Sequence, residues 1–261
     1  MCVQFHNDRT EQKRKVSPLR DLISGGLAPC LSHCMFYFDF DNTITTFDVL
    51  DDIIKHFSIN EDWVAIENAW KAGEIGSQEC LANQLKGVRV TKNDLLRYLS
   101  TVTIDAHFPE LLGMLKDAGG KPVILSDSFS FIIQHVLRNN GVRGVKVYSN
   151  MVRFDRDRLI PSFPHTNSDC TRCAHCKKRN LLNHSSKGKI TVYIGDGLSD
   201  ICPAYYADMV FAKASLLRHI RNTGRYCIPF RELGDIVNYL QGVTYESGKE
   251  REQKAIKISK R

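Results

Sequence analysis

The sequence predicts an α/β fold, a parallel sheet with helices on both faces and a small helical cap inserted after the first strand. Three observations predict it. Beyond residue 120, short β-branched runs alternate with segments of helical spacing, the pattern of parallel strands joined by helical crossovers. Between 47 and 120 the spacing is helical alone. Three of the expected strands end on carboxylates or hydroxyls, which suits the carboxyl edge of such a sheet, where ligands bind.

Residues 1–33 are polar, basic and broken by Gly and Pro, and read as a loosely ordered arm. "CMFYFDF" (34–40) is short, aromatic-rich and bounded by charge, as a buried parallel strand is. In the cap (47–120) helical faces are marked by Val49, Ile53, Ile54 and Phe57, by Trp63, Ile66 and Trp70, by Leu81 and Leu85, and by Leu95, Leu96 and Leu99. The core, 34–46 and 121–241, resumes with "KPVILSDS" (121–128), then a helix closed by Gly141. "VKVYSN" (145–150) is a further strand, and "VRFDRDRLI" alternates like one arm of a hairpin. "KITVYIGDG" (189–197), "DMVFA" (208–212) and "RYCIPF" (225–230) complete the strands, with helices at about 199–206, 215–222 and 231–241 between and after them. Residues 242–261 form a basic tail.

A chain of 261 residues supports one full core plus a smaller unit. With 43% hydrophobic and 25% charged residues it reads as soluble, and no run approaches the roughly 18 apolar residues of a membrane span. The net charge of +7 is concentrated at the ends: 1–33 carry +2 and 242–261 carry +3, leaving +2 on residues 34–241. That distribution argues against a nucleic-acid partner. Nine cysteines, an odd number unevenly spread and with no signal peptide ahead of them, point to a cytoplasmic, reducing setting.

Asp39 and Asp41 end the first strand, Ser126 and Asp127 the second, Asp196 and Asp200 a later one. If these strands are parallel neighbours, the groups converge on one edge. Carboxylates at such range repel unless a cation lies among them. An oxygen-rich set of this kind suits Mg²⁺, which takes one or two carboxylates together with substrate phosphate oxygens. An aspartate beside that metal also fits phosphoryl transfer through an aspartyl-phosphate.

"DFDNT" (39–43), "LSDS" (125–128), a lysine ahead of the next strand and "GDGLSD" (195–200) resemble, in order, the four motifs of the haloacid dehalogenase (HAD) phosphatases. The resemblance implies a Rossmann-like core and assigns roles. Asp39 is the nucleophile, and Asp41 protonates the leaving alcohol and then activates water. Mg²⁺ is held by Asp39, the main-chain carbonyl of Asp41 and Asp196. Thr43 steadies the turn, and Ser126, with Asp127 beside it, faces the phosphate. Asp200 orients the lysine or the metal's waters. For the lysine, "CKKRN" offers Lys177 and Lys178, and the spacing to Leu181 and Leu182 favours Lys177.

A helical insertion between the first two motifs is the cap position of the phosphoserine-phosphatase-like branch. Asp48 falls where those enzymes read the substrate's amino group, though a carboxylate in the first turn of a helix is the alternative. The "SGG" of phosphoserine phosphatases is absent from the second motif. "LSDS", "GDGLSDICP" and "HTNSDCTRCAHCKK" (165–178) look like phosphoethanolamine/phosphocholine phosphatases. "AWKAGEIGSQECL" and "ADMVFAK" look like bacterial phosphatases related to the methionine-salvage enzyme acting on 2-hydroxy-3-keto-5-methylthiopentenyl-1-phosphate. The expected activity is therefore Mg²⁺-dependent hydrolysis of a small phosphorylated metabolite, with a phosphoethanolamine/phosphocholine-like substrate favoured.

Cys170, Cys173 and Cys176, at C-x2-C-x2-C, have spacing suited to structural zinc, with His165 as fourth ligand. Together with the basic tail they also frame a non-enzymatic alternative, a zinc-dependent nucleic-acid-binding module. Cys202 and Cys227 read as small core residues, Trp63 and Trp70 as one packing face, and His135 and His219 as packed or surface histidines.

Overall fold

The computed structural model describes residues 31–168, 170, 172–186 and 188–242. Most of the expected arm and nearly all of the tail lie outside these. A seven-stranded sheet runs in the order β4-β3-β2-β1-β5-β6-β7. Its strands are β1 (Cys34–Phe38), β2 (Lys121–Phe129), β3 (Lys146–Asp155), β4 (Arg158–Ser162), β5 (Ile190–Gly195), β6 (Met209–Ala212) and β7 (Ile228–Pro229). All neighbours pair in parallel except β3 and β4, the hairpin that "VRFDRDRLI" announced. β7 is shorter than "RYCIPF" suggested: Pro229 has no N–H to continue a ladder.

β1 is buried along its length because it is covered on both faces. Phe36 and Phe38 point into one core and Met35 and Tyr37 into the other. The first core takes α5 (Phe108–Asp117), α6 (Ser130–Asn139) and a final helix at 233–242. The second takes α7 (Lys177–His184), α8 (Ile201–Tyr206) and α9 (Ala214–Asn222).

Four helices precede α5: α1 (Val49–Phe57), α2 (Asp62–Ala72), α3 (Ser77–Gly87) and α4 (Lys92–Leu99). Their way in and way out run side by side, since Thr45 bridges Ile104 and the Asp105 N–H donates to the Ile44 carbonyl at 2.8 Å. α5, beyond this neck, lies against the sheet, with Phe108 edge-on to Phe38 at 5.6 Å between ring centroids. From β1 the chain continues to β2 on one side, while β5 flanks it on the other. The crevice at the carboxyl ends of β1, β2 and β5 is thus the switch point where an open α/β sheet places its ligand.

Candidate active site

Each motif is delivered to that crevice by a specific local device. After β1 the Phe40 carbonyl accepts the N–H groups of Thr43, Ile44 and Thr45, a tight loop that needs Asn42 at φ 54°, a left-handed conformation asparagine tolerates well. The loop sets Asp39 with one carboxylate oxygen on the Phe40 N–H at 2.7 Å. It also places Thr43, whose hydroxyl donates to Asp196 at 3.2 Å. Asp41 accepts the Val49 N–H at 2.9 Å, which ties it to the start of α1.

Lys177 opens α7 and is 2% exposed, as is expected only of a lysine that is fully paired. Its Nζ donates to Asp39 at 2.7 Å, Asp200 at 2.8 Å and Ser199 at 3.1 Å. Burial opposes its charge, but Asp200 and Asp39 outweigh that and hold its pKa well above the ordinary lysine value. Lys178 points outward to Tyr206, so Lys177 is the lysine the site uses.

Asp200 is fully buried, and four donors fill its two oxygens: Lys177, the Tyr193 hydroxyl at 2.6 Å, and the N–H groups of Asp196 at 3.0 Å and Gly197 at 2.9 Å. Burial alone would raise its pKa; Lys177 and the other donors bring it below the usual carboxylate value. Gly195 is required for this fit, since a Cβ there would lie 2.5 Å from an Asp200 oxygen.

Asp39, Asp196 and Asp200 can bring one ligand atom each within 4.8 Å of one another. Asp39 and Asp200 share the Lys177 ammonium, and Asp196 feels the charges of Lys177 and Lys213 without an ion pair of its own. Burial, and then Asp200, push Asp39 well above its ordinary pKa and Asp196 up to about 6. A hard divalent cation on Asp39 and Asp196 fits this donor set and relieves the charge deficit, whereas Asp200 is already saturated and serves Lys177. Burial and neighbouring Asp48 likewise hold Asp41 well above the carboxylate range.

The strand-end motif 126–129 contains a bulge, where the β2–β3 register jumps between Ser126 and Phe129. Asn150 donates to the Asp127 carbonyl at 2.6 Å and the His175 N–H to an Asp127 carboxylate oxygen at 2.9 Å. Ser126 accepts the Ser128 N–H at 3.0 Å, leaving its own proton free to donate. Asp39, Asp41, Ser126, Asp127, Lys177 and Asp196 all line one cavity of about 190 Å³.

The cap forms the far wall of that cavity. Asp48 caps α1 by accepting the Asp51 N–H at 2.9 Å and also lines the cavity. Asp51, Glu67 and Trp70 stand with it. Sequence reasoning did not single out Asp51 or Glu67, and it took Trp70 for packing. Trp63 does pack on the core, but Trp70 lines the cavity, its indole N–H fixed on Ser77 at 2.9 Å.

Structural zinc finds no support, although the Cys173 thiol lies within electrostatic reach of Cys170, Cys176 and Cys202. Among the described residues, Cys170, Cys173, Cys176 and His165 are not in any cluster of converging ligand atoms; the aspartate trio is the one found. The loop is held by other means. The Cys176 N–H closes on the His165 carbonyl at 2.8 Å, and the His165 ring packs against His175 and Tyr148. The loop clasps the cap, Ser77 N–H donating to the Arg172 carbonyl and Arg172 to the Gly73 carbonyl, each at 2.8 Å.

The family model described as "Putative Phosphatase" matches residues 34–216. The chain belongs to this phosphatase family. As a HAD-superfamily phosphatase it is a phosphoric monoester hydrolase. The phosphatase is similar to a protein of Geobacillus kaustophilus named 2-hydroxy-3-keto-5-methylthiopentenyl-1-phosphate phosphatase, with 28% identity over 79% of this chain and 95% of that one. A Bacillus velezensis protein of the same name is 25% identical over 78% and 88%. Among solved structures, a substrate-bound phosphoserine phosphatase aligns at TM-score 0.62 and 19% identity, covering 79% of this phosphatase and 97% of that chain. A cytosolic 5'-nucleotidase bound to cytidine aligns at 0.60 and 17%, covering 88% and 91%. These two likenesses concern the fold.

Proposed function

We propose that the protein is a Mg²⁺-dependent phosphatase that hydrolyses a small phosphomonoester through an aspartyl-phosphate on Asp39. The observation that carries the reading is the Lys177 ammonium held between Asp39 and Asp200 at the switch point of the sheet. Asp39, the Asp41 main-chain carbonyl and Asp196 would hold Mg²⁺, which when bound neutralises phosphoryl charge and the crowding of the carboxylates. Lys177 and the Ser126 hydroxyl bind phosphoryl oxygens, and Thr43 steadies Asp196. Asp39 attacks phosphorus as the ester P–O bond breaks, and Asp41 gives its proton to the leaving alkoxide. Its raised pKa suits that donation. Asp41 then takes a proton from water, which attacks the acyl phosphate and releases inorganic phosphate and free Asp39.

The favoured substrate carries a cation on its alcohol, as phosphoethanolamine and phosphocholine do. Support comes from the cap wall, where Asp48, Asp51, Glu67 and Trp70 line the cavity together, a residue set suited to an ammonium group even with Lys55 paired to Asp51 and Lys71 to Glu67. Phosphoserine fits less well, because the only basic side chain in the cavity lining is Lys177, which the phosphoryl group takes, so its carboxylate would meet no cation there. A ketose 1-phosphate is the second reading, favoured by the names of the bacterial relatives.

A cytoplasmic location goes with this reading. It is supported by seven cysteines outside any disulfide among the described residues. Phosphate release from phosphocholine, phosphoethanolamine, phosphoserine and a ketose 1-phosphate, each with Mg²⁺ and with chelator, tests the proposal. The cationic esters are expected to lead; turnover unaffected by chelation contradicts the mechanism.

A further inference from the structure

Ser128 lines the catalytic cavity with Asp39, Ser126 and Lys177, and it is 1% exposed. Its hydroxyl makes no hydrogen bond among the described residues. A buried hydroxyl left unpaired carries a desolvation cost that folded proteins rarely leave standing, and such a group calls for an explanation. Here the explanation lies in the bulge that presents it.

Two other buried polar atoms share this condition, Asn150 Oδ1 and His175 Nδ1. Both of those residues have another group at work: Asn150 Nδ2 braces the Asp127 carbonyl and the His175 N–H braces the Asp127 side chain. The Ser128 side chain braces nothing. Its N–H is engaged, on Ser126 Oγ at 3.0 Å. That bond couples the two serines and uses Ser126 Oγ as an acceptor, so its proton remains available to donate. A bulge braced on both sides, with one hydroxyl oriented and a second unpaired in the same cavity, is a pair of donors awaiting an acceptor.

We propose that Ser128 Oγ is a second hydroxyl donor to the phosphoryl group, acting beside Ser126. The inference rests on the phosphatase reading above. A phosphoryl group carries negative charge over its equatorial oxygens in the transition state, so a preorganised donor in a buried site acts where that charge lies. The contact is with the phosphoryl group and not with the leaving alcohol, so its effect is independent of which ester is bound.

The test uses the full chain with Mg²⁺, p-nitrophenyl phosphate, phosphocholine and orthovanadate, which lacks a leaving alcohol. For Ser128→Ala, kcat/KM is expected to fall by about 10- to 100-fold on both esters, the loss typical of a hydrogen bond to a charged group. The vanadate inhibition constant rises comparably. The Tm stays level or increases, because an unpaired buried hydroxyl has been removed. Ser128→Thr, which keeps the hydroxyl, recovers most of the activity.

Wild-type kinetics in Ser128→Ala overturn the proposal. So does a loss confined to one ester with vanadate inhibition unchanged, which places the hydroxyl at the alcohol. A fall in Tm with equal loss in Ser128→Thr assigns the residue to packing and also overturns it. If the wild-type protein itself hydrolyses neither ester, the phosphatase reading fails instead, so the two failures are distinct.

Discussion

Lys177 Nζ lies 2.7 Å from an Asp39 carboxylate oxygen, at a place where neither side chain is more than 8% exposed. Sheet and helix meet in this pair, since Asp39 follows β1 and Lys177 opens α7 on one face of the sheet. The ammonium compensates Asp39 and Asp200 together, so removing it strands two buried charges.

Lys177→Met is therefore expected to cost about 3 kcal/mol of stability, the scale for breaking a buried ion pair. It should also lower kcat by about 100-fold or more through lost electrostatic stabilisation. Denaturant unfolding and steady-state kinetics check the two effects. A fully stable variant would show that the pair is not the element that holds the site together.

In the absence of metal, stability should fall as pH rises from about 4 to above 6. The sign follows from linkage. Burial and then the Asp51 charge raise Asp48, and burial and then the Asp200 charge raise Asp196, each to about 6 in the folded state, against about 4 in the unfolded chain. Between those values the folded state binds more protons, so raising the pH favours unfolding. Asp200, whose pKa is lowered, contributes in the opposite sense. Mg²⁺ should restore the loss, giving a larger increase in Tm at pH 8 than at pH 5. Thermal unfolding with chelator and with Mg²⁺ at both values measures this; equal increments contradict it.

Glu67→Gln should raise KM for phosphocholine by about 10-fold, the order of one close charge interaction at a partly screened site. It should leave p-nitrophenyl phosphate hydrolysis nearly unchanged. For the cationic ester KM should also climb as pH drops below about 6, where Asp48 takes up its proton. A KM change shared by both esters would argue against reading of the cation by the cap.

Arg172→Ala removes one half of the clasp between the cysteine loop and the turn that carries Ser77, on which the Trp70 indole is fixed. KM is expected to increase a few-fold for all esters, with kcat reduced less. Hydrogen exchange in 70–80 should accelerate, because the turn loses a tether to the core. Unchanged exchange would leave the clasp without a role.

Much of this was legible in the sequence because it is written in local pattern. β1 declares itself as a run of apolar residues cut by Asp39, and Lys177 could be chosen over Lys178 because Leu181, one turn on, shares its inward face. Leu181 is 1% exposed and Leu182 48%. The cysteine spacing suggested a metal, yet that loop is held by main-chain hydrogen bonds and ring packing, which spacing does not encode. Glu67 escaped notice and Trp70 read as packing because their place depends on how the cap closes over the core. Ser128 escaped because a serine two residues past Ser126 has no meaning until the bulge and its empty hydrogen-bonding capacity are seen.

The central claim is that Asp39 becomes phosphorylated during turnover. Borohydride reduces an aspartyl phosphate to homoserine, so quenching the reaction with it and sequencing the peptide that contains residue 39 by mass spectrometry tests the claim most directly. Homoserine is expected at position 39 when ester and Mg²⁺ are both present, and not in Asp39→Asn. Continued turnover with unmodified Asp39, or with the label at another residue, would contradict the account.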